Sequence, residues 1–238
     1  MNISKLLTKY PGVEKAMKKI MAFSPETYIH SLRVAEITAN MLEQLNKDKK
    51  TCFSEKEKED IIIAAYIHDI GKLSVPQEIL SKPGKLTDNE FEKIKQHSLL
   101  GYIRIKRLNL PERLEKICCD IAMHHHRKID GSGYPLSIDG PVPYYAQIVQ
   151  VADIYEALTG MRSYRESMPH EKAFSMMISG ECGKLNETLV SMLEYNIKNI
   201  EQQISGTHID IDVDSLYKAA YASIQKVCKN SQYQERAI

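Results

Sequence analysis

The sequence lacks an excess of charge of either sign. Its 32 lysine and arginine residues nearly balance 31 aspartate and glutamate residues, which leaves a formal net charge of +1. A protein that binds nucleic acid through a broad positive field needs a surplus of basic residues. The balance therefore argues against a nucleic-acid polymer as a partner, and any recognition of phosphate must depend on a few local groups.

Paired cysteines and long apolar segments are also missing. None of the five cysteines forms a CxxC pair, and their odd number suits a reducing compartment better than a disulfide framework. The longest uninterrupted apolar run, residues 61–67, is far too short to span a membrane. Residues 1–10 lack the apolar core of a signal peptide. We therefore expect a cytoplasmic protein without a membrane partner.

Apolar residues recur with a helical period, and strand-like alternation is confined to the short stretch 207–213. His30, Val34, Ile37 and Met41 follow at steps of three or four residues, the spacing of one helix face. The sequence therefore predicts an all-α fold. The first of these helices begins near Ser24, and the others span residues 55–68, 88–107, 112–125, 144–159, 170–177, 187–199 and 214–229, with loops at 71–86 and 130–143.

The doublet His68-Asp69 directly follows the apolar run and precedes Gly71. A polar pair at a helix end is usually solvated, but the apolar run predicts that this pair emerges from a buried position. We expect Gly71 to end the helix and to release the chain, so that both side chains turn towards one point. A buried aspartate needs a partner, and a cation is the obvious one.

Further imidazoles and carboxylates stand where core residues are expected. Glu26 and His30 are four residues apart on one helix face, which indicates a metal site or a salt bridge. Asp153 follows an apolar stretch, and three consecutive histidines, 124–126, end a partly buried helix. His97 lies on another predicted helix and indicates little by itself.

This donor set contains imidazoles and carboxylates but no thiol. Such a mixture suits Fe, Mn or Zn and argues against a structural zinc module built from cysteines. More than four candidate ligands imply two or more ions. A pair of ions suits the hydrolysis of phosphate esters, because it can contact both the attacking and the leaving oxygen.

A loop with two closely spaced glycines, residues 130–135, has the sequence DGSGYP. Two interpretations stay open: a tight surface turn, or a close approach of the backbone to a ligand, with Tyr134 available to stack on a base. Arg162 and Arg165 are three residues apart. They either bind phosphates through their forked guanidinium groups or are simply solvated.

Four segments, in order, resemble the HD-GYP branch of the HD-domain phosphohydrolases. They are residues 67–72 (IHDIGK), 79–87 (ILSKPGKLT), 130–135 (DGSGYP) and 151–159 (VADIYEALT). The resemblance covers about residues 24–180, roughly two thirds of the chain. The ordered series is far more specific than a lone His-Asp pair.

The resemblance implies an HD-domain helical bundle that holds two or three divalent metal ions, with Fe or Mn first and Zn as the alternative. It implies hydrolysis of a cyclic dinucleotide, typically cyclic di-GMP, to the linear dinucleotide and on to GMP. By position, the metal ligands are Glu26, His30, His68, Asp69, His97, His125, His126 and Asp153. By the same argument, substrate contacts come from Lys72, Tyr134, Arg162 and Arg165.

One position departs from the pattern of the family, which usually reads His-His-Glu. If His125 and His126 are the pair, Arg127 replaces the glutamate. A register that uses His124 and His125 needs one inserted residue before the loop, so we prefer the first. A base in place of an acid beside the metals could alter metal number, activity or substrate choice. The family's Phe-Asp-Pro ending is also replaced, by CGKLN at 182–186.

We divide the chain into an N-terminal helical segment, 1–23, an HD-GYP phosphohydrolase domain, 24–200, and a C-terminal helical appendage, 201–238. We expect the appendage to serve either homodimer formation or packing on the core, and the sequence does not decide between them.

Our first hypothesis is that a metal-bridged hydroxide attacks the phosphodiester in line. Asp69 would bridge the metals, Lys72 would neutralise the phosphate, and Arg162 and Arg165 would position the second phosphate. Arg127 motivates one alternative, a sensor that binds cyclic dinucleotides without cleaving them. Another alternative is an HD phosphohydrolase that acts on a different nucleotide.

Overall fold

The computed structural model describes residues 6–49, 51–82, 84–136, 138–160 and 167–206. Within these ranges the regular structure is helical, which confirms the predicted all-α fold. The α-helices are α1 (Pro11–Phe23), α2 (Pro25–Lys47), α3 (Glu55–Ile67), α4 (Gln77–Leu80), α5 (Asp88–Lys95), α6 (His97–Ile105), α7 (Glu112–His124), α8 (Tyr144–Thr159), α9 (His170–Ser179) and α10 (Glu187–Gly206).

Helix starts follow the predicted capping residues. The Ser24 hydroxyl accepts a hydrogen bond from the Thr27 backbone N–H, and Pro25 occupies the first turn of α2, where its missing N–H costs nothing. Thr87 and Glu90 form a reciprocal capping box at the start of α5. These local contacts satisfy backbone donors that would otherwise lack partners at each helix start.

The prediction of one helix over 88–107 is wrong, because the chain forms two helices that meet at Gln96. The His97 side chain is the physical reason. Its Nδ1 lies 2.7 Å from the Ile94 carbonyl oxygen, a main-chain acceptor three residues earlier. A side chain that takes a carbonyl from the helical hydrogen-bond ladder breaks the helix locally.

The prediction for Gly71 is also wrong in its mechanism. α3 ends at Ile67, and Gly71 lies in a 3-10 helix, Ile70–Ser74, rather than in a left-handed turn. A side chain at Gly71 would meet the His97 carbonyl oxygen at 1.9 Å. Glycine is therefore needed for close packing against α6. The predicted loop 71–86 contains most of this 3-10 helix and α4, so it is more regular than expected.

Four helices pack around a common core. α2 contacts α3, α3 contacts α7, α7 contacts α8, and α8 contacts α2 again. Apolar side chains on these helices are fully buried, including Val34, Ile62, Ile121 and Val149. The ends of α3 and α7 thereby meet the N-terminal part of α2 and the middle of α8, and this junction carries most of the predicted ligands.

Contacts divide the chain into two compact units, Met1–Leu193 and Glu194–Ile238. The predicted strand-like stretch 207–213 and the predicted helix 214–229 lie outside the described residues, as does most of the predicted appendage. The predicted boundaries after residues 23 and 200 stay a prediction. Within the described ranges, no helix is both long enough and apolar enough to cross a bilayer.

Candidate metal centre

His68 and Asp69 lie immediately after α3, and the core buries both side chains, as predicted from the apolar run before them. His68 Nδ1 lies 2.7 Å from the Ala65 carbonyl oxygen, so Nδ1 donates there and Nε2 is the nitrogen that faces Asp69. Within the described part of the chain, His68 Nε2 and Asp69 Oδ1 are buried without a hydrogen-bond partner. Such polar atoms are costly unless something binds them.

The two carboxylate oxygens of Asp69 face two different sets of histidines. Asp69 Oδ2 lies 3.5 Å from His30 Nε2 and 3.4 Å from His68 Nε2. Asp69 Oδ1 lies 3.3 Å from His97 Nε2 and 4.0 Å from His125 Nε2. One carboxylate thus stands between two imidazole sets and offers a different oxygen to each.

Two donor groups follow from this arrangement. The first donor group is His30, His68 and Asp153, and the second donor group is His97, His125 and His126. Within each group, one ligand atom per residue lies within 4.8 Å of the others. Asp69, which also forms such a set with His68 and His125, joins the two groups.

The second donor group is held by backbone carbonyls. His97 Nδ1 lies 2.7 Å from the Ile94 oxygen, and His125 Nδ1 lies 2.9 Å from the Ile121 oxygen. Both Nε2 atoms therefore present lone pairs, and these two atoms are only 3.1 Å apart. Two lone pairs at this distance repel each other unless a cation or a proton lies between them. The donor set fits a divalent metal ion, with carbonyl oxygens fixing the tautomers as they do in metal sites.

The first donor group is held by a carboxylate. His30 Nε2 lies 3.0 Å from Asp153 Oδ1, and His30 Nδ1 contacts the Glu156 carboxylate. Burial opposes a charge on His30, but the hydrogen bonds to Asp153 and Glu156 outweigh burial and raise its pKa to about 9. A histidine backed in this way is a stronger base and a stronger metal ligand.

Burial has the opposite outcome in the second donor group. It lowers the pKa of His97 to about 4 against the opposing charge of Asp69, and it lowers the pKa of His125 to about 3. It also holds the pKa of His126 well below the ordinary value. These three imidazoles are therefore neutral at pH 7 and have the lone pairs that a metal ion requires.

Glu156 is a residue of the site that sequence reasoning missed. It is buried, lies three residues after Asp153 on α8, and accepts a hydrogen bond from Arg33 Nη1 at 3.3 Å. A second carboxylate one turn from Asp153, on a helix whose mean hydropathy predicts burial, was the available signal. Its partner His30 is 126 residues away in the chain, and no local pattern indicates that contact.

Lys72 lies beside the carboxylate that joins the two groups. Its Nζ is 2.6 Å from Asp69 Oδ2, and its side chain is partly exposed. Burial would raise the pKa of Asp69, but Lys72 and His68 outweigh it and hold that pKa well below the ordinary value. Lys72 therefore keeps Asp69 ionised and reaches the surface from the edge of the centre.

The DGSGYP loop packs on the second donor group. Gly133 has φ +88°, and a side chain there would meet the His126 carbonyl oxygen at 2.1 Å. The close approach that Gly133 allows is thus an approach to the protein's own backbone. It seats the Tyr134 ring 4.4 Å from the His126 ring, measured between centroids.

The three consecutive histidines face different ways. His125 and His126 face His97, whereas His124 Nδ1 lies 3.1 Å from Arg127 Nη1. The other terminal nitrogen of Arg127 donates to the Gly140 carbonyl oxygen at 3.3 Å. A guanidinium has no lone pair to offer a metal ion. Arg127 therefore binds the loop 130–143 through Gly140 and adds no metal ligand.

Three predicted residues are not placed in the donor groups. Glu26 is half-buried on α2, one turn before His30, and is not among the donor atoms that cluster around Asp69. Arg162 and Arg165 lie outside the described residues. Their assignment, like the assignment of individual ligands, stays a prediction.

The sequence matches a family model and several known proteins. A family model described as HD domain matches residues 15–188. A probable cyclic di-GMP phosphodiesterase of Vibrio cholerae is 35% identical over 194 residues, which are 76% of this chain and 43% of that protein. The 3'3'-cGAMP-specific phosphodiesterase 1 of the same organism is 30% identical over 200 residues, 80% of this chain and 44% of that protein. This chain spans less than half the length of these relatives.

A solved structure shares the fold. It is Bd1817, an HDG"Y"P protein from Bdellovibrio bacteriovorus, with a TM-score of 0.56 and 17% identity over 72% of this chain and 52% of that chain. The resemblance predicted from the sequence is confirmed by these matches. The chain belongs to the HD domain family.

Proposed function

We propose that the chain is a metal-dependent phosphodiesterase that hydrolyses cyclic di-GMP to linear pGpG, GMP or both. The position of Asp69 carries this proposal: its two oxygens face two separate donor groups, 3.3–4.0 Å from four imidazole nitrogens. Paired ions at such a carboxylate suit the displacement of one phosphate oxygen by another.

Two observations support a cyclic dinucleotide as the substrate class. Relatives at 35% and 30% identity are named as phosphodiesterases of cyclic di-GMP and of 3'3'-cGAMP. The DGSGYP loop lies against the second donor group through Tyr134 and His126. An aromatic ring beside the metal ligands is suited to contact a nucleobase while the phosphate lies on the ions.

We propose a binuclear centre. His30, His68 and Asp153 would hold one ion, His97, His125 and His126 would hold the other, and Asp69 would contribute to both. Arg127 stands where the family has a glutamate and has no lone pair, which favours two ions over three. A set of imidazoles and carboxylates suits Fe or Mn, with Zn as the alternative.

The ions supply Lewis acidity and lower the pKa of coordinated water when they are bound. Around them, the chain's own residues bind and orient the substrate. Lys72, at the exposed edge beside Asp69, would contact the phosphate and balance its charge. Arg162 and Arg165 would grip the second phosphate, and Tyr134 would contact a base.

We place the protein in the cytoplasm, because the odd number of cysteines suits a reducing compartment better than a disulfide framework. We propose a phosphohydrolase domain over 24–200, between an N-terminal segment, 1–23, and an appendage, 201–238. We also propose that the appendage serves either homodimer formation or packing on the core.

The test is turnover of cyclic di-GMP by pure protein loaded anaerobically with Fe(II) or with Mn(II). We expect linear pGpG or GMP by chromatography, and metal analysis should give two ions per chain. Competition among GMP–GMP, GMP–AMP and AMP–AMP cyclic dinucleotides would identify the preferred substrate. A metal-replete protein that forms no linear product from any of them would contradict the proposed function.

Arg127 motivates a second candidate, a sensor that binds cyclic dinucleotides without cleaving them. The Arg127 guanidinium contacts His124 and Gly140, which are not members of the two donor groups. The substitution therefore leaves both donor groups complete, which favours the enzyme over the sensor. Calorimetry distinguishes the two. Tight binding of cyclic di-GMP by the metal-loaded protein without turnover would favour the sensor.

A further inference from the structure

A chain of ring contacts leads from the second donor group to the surface of α5. The Tyr134 ring lies 4.4 Å from the His126 ring and 6.2 Å from the His97 ring, measured between centroids. On its other side it meets Phe91 at 6.3 Å, with the two ring planes at 84°. Phe91 is thus one ring away from the metal ligands.

Phe91 lies outside the core, and its ring contacts are with Tyr134 and Lys95 beside the site. It is 46% exposed, and none of the residues of α5 is buried in the core. The start of this helix is fixed by the capping box of Thr87 and Glu90, and Phe91 donates its backbone N–H to the Thr87 carbonyl oxygen there. A single exposed ring is ordinary on a protein surface. The position of this one is what matters, because it contacts the ring of Tyr134, which in turn contacts His126 and His97.

Lys95 places a positive charge over both rings. Its Nζ lies 5.2 Å from the Phe91 centroid and 5.9 Å from the Tyr134 centroid. An ammonium has three donors, and one of them pairs with Glu92 on the same helix. The ammonium group thus stands beside both rings.

We infer that Phe91 and Lys95 complete, with Tyr134, a nucleobase subsite that prefers guanine over adenine. This inference rests on the proposed function, because it takes a cyclic dinucleotide as the ligand. A nucleotide carries its base one sugar away from its phosphate. A phosphate at the donor groups therefore places the base beside them, where the rings lie.

The preference follows from the hydrogen-bonding edge of each purine. Guanine presents two acceptors, O6 and N7, on one edge, whereas adenine presents the acceptor N7 and the donor N6 amino group. An ammonium can only donate, so Lys95 favours guanine. The ring of Phe91 stacks on either purine and sets affinity rather than selectivity.

The experiment uses the metal-loaded full chain and two variants, Phe91→Ala and Lys95→Met. Steady-state kinetics on GMP–GMP and AMP–AMP cyclic dinucleotides give KM and kcat. We expect Phe91→Ala to raise KM for both substrates by about tenfold, because stacking on an aromatic ring is lost, with kcat within about twofold. We expect Lys95→Met to lower the kcat/KM preference for GMP–GMP by about fivefold or more.

A matched control exists on α6. Tyr102 is also an exposed aromatic residue, and Lys106 Nζ lies 5.9 Å from its ring. This pair has the same chemistry but no ring contact with the donor groups among the contacts of the described residues. We expect Tyr102→Ala and Lys106→Met to leave KM and the purine preference unchanged.

A second readout does not depend on turnover. A phosphorothioate cyclic dinucleotide that carries 2-aminopurine resists hydrolysis, and its emission is quenched when the base stacks on a ring. We expect quenching by the wild type and by Tyr102→Ala, and a loss of quenching in Phe91→Ala. Phe91 is exposed, so this variant should fold, and circular dichroism checks that it does.

The outcomes separate the subsite from the proposed function. Turnover or quenching by the wild type, with Phe91→Ala unchanged, would overturn the subsite and leave the proposed function intact. An unchanged purine preference in Lys95→Met would overturn the assigned selectivity. A wild-type protein that neither binds nor hydrolyses any cyclic dinucleotide would overturn the proposed function, and the subsite with it.

Discussion

The first and second donor groups contain similar ligands but are supported in different ways. In the first, the Glu156 carboxylate backs His30, and the hydrogen bonds to Glu156 and Asp153 raise the pKa of His30 to about 9 despite burial. In the second, backbone carbonyls back His97 and His125, and burial lowers their pKa values to about 4 and about 3.

The difference predicts two kinds of metal binding in one centre. Without metal, His30 carries a proton at pH 7 that an ion must displace, while the second group is neutral and ready to bind. A negative charge behind His30 should in turn strengthen that ligand once the proton has left. The second donor group should therefore bind an ion without losing a proton. The first donor group should bind an ion strongly, but with an affinity that depends on pH.

Replacing Asp69 by asparagine should have the largest effect, because this residue joins the two groups. Asparagine keeps the shape but has one acceptor oxygen instead of two, so it cannot serve both ions. We expect kcat to fall by about 10³-fold or more and the metal content to drop from two ions to one. Mass spectrometry under native conditions and turnover of cyclic di-GMP measure both.

The control for Asp69→Asn is Asp120→Asn on α7, which removes a carboxylate that pairs with Lys116 outside the centre. It should leave both the metal content and kcat unchanged. Two ions bound by Asp69→Asn with nearly full activity would contradict the joining role of Asp69.

Replacing Glu156 by glutamine should weaken the first group alone. Glutamine can still accept a hydrogen bond from His30 but carries no charge, so His30 becomes a weaker ligand. Supporting contacts of this kind change metal affinity by about 10- to 100-fold. Titration with Mn(II) should show one weakened site and one site of wild-type affinity.

The exposed carboxylate of Glu36 provides the comparison for Glu156, since it lies on α2 and is six residues after His30. Glu36→Gln should bind both ions normally. Equal weakening of both sites in Glu156→Gln would show that the two groups are not supported independently.

The sequence predicts well which side chains are buried and poorly which side chains they contact. His68, Asp69 and Asp153 were identified because polar residues follow apolar runs, and periodicity reports which positions face the core. The same reasoning gave the all-α fold and the caps of α2 and α5. It could not give the contact between His30 and Glu156, because that contact depends on how α2 packs on α8.

Two predictions of local structure were wrong because of contacts with the backbone. His97 breaks the predicted helix 88–107 by taking the Ile94 carbonyl, although nothing in the helical pattern changes there. Gly71 was expected to allow a turn, yet its role is close packing against α6. The first is a local contact of a side chain and the second depends on a tertiary neighbour, and neither follows from the propensities of the residues themselves.

Acid should destabilise the metal-free protein through the second group. His97, His125 and His126 have folded-state pKa values below the unfolded value of 6.5, so below about pH 6.5 the unfolded chain binds more protons. Stability is therefore lost as pH falls, by about 1–2 kcal/mol per histidine between pH 7 and pH 5. Urea unfolding of chelator-treated protein at several pH values measures this loss.

His97→Gln should flatten that dependence by removing one of the three groups. The contribution of His30 has the opposite sign, because its folded-state pKa is about 9. Its protonation stabilises the fold below pH 6.5, and this stabilisation is lost as pH rises towards 9. A metal-free protein that is equally stable at pH 5 and pH 7 would contradict the neutral state of the second group.

Proton release on metal binding is the smallest of these effects and the most direct comparison of the two groups. At pH 7.5 His30 is protonated, since its pKa is about 9, whereas His97 and His125 are not. Binding of Mn(II) to the first group should release about one proton, and binding to the second none. Calorimetry in two buffers with different enthalpies of ionisation counts the protons.

His97→Ala should keep the release of this proton and His30→Ala should abolish it, because only the first group holds a proton to displace. Equal release from both variants would mean that the carboxylate behind His30 does not distinguish the two groups.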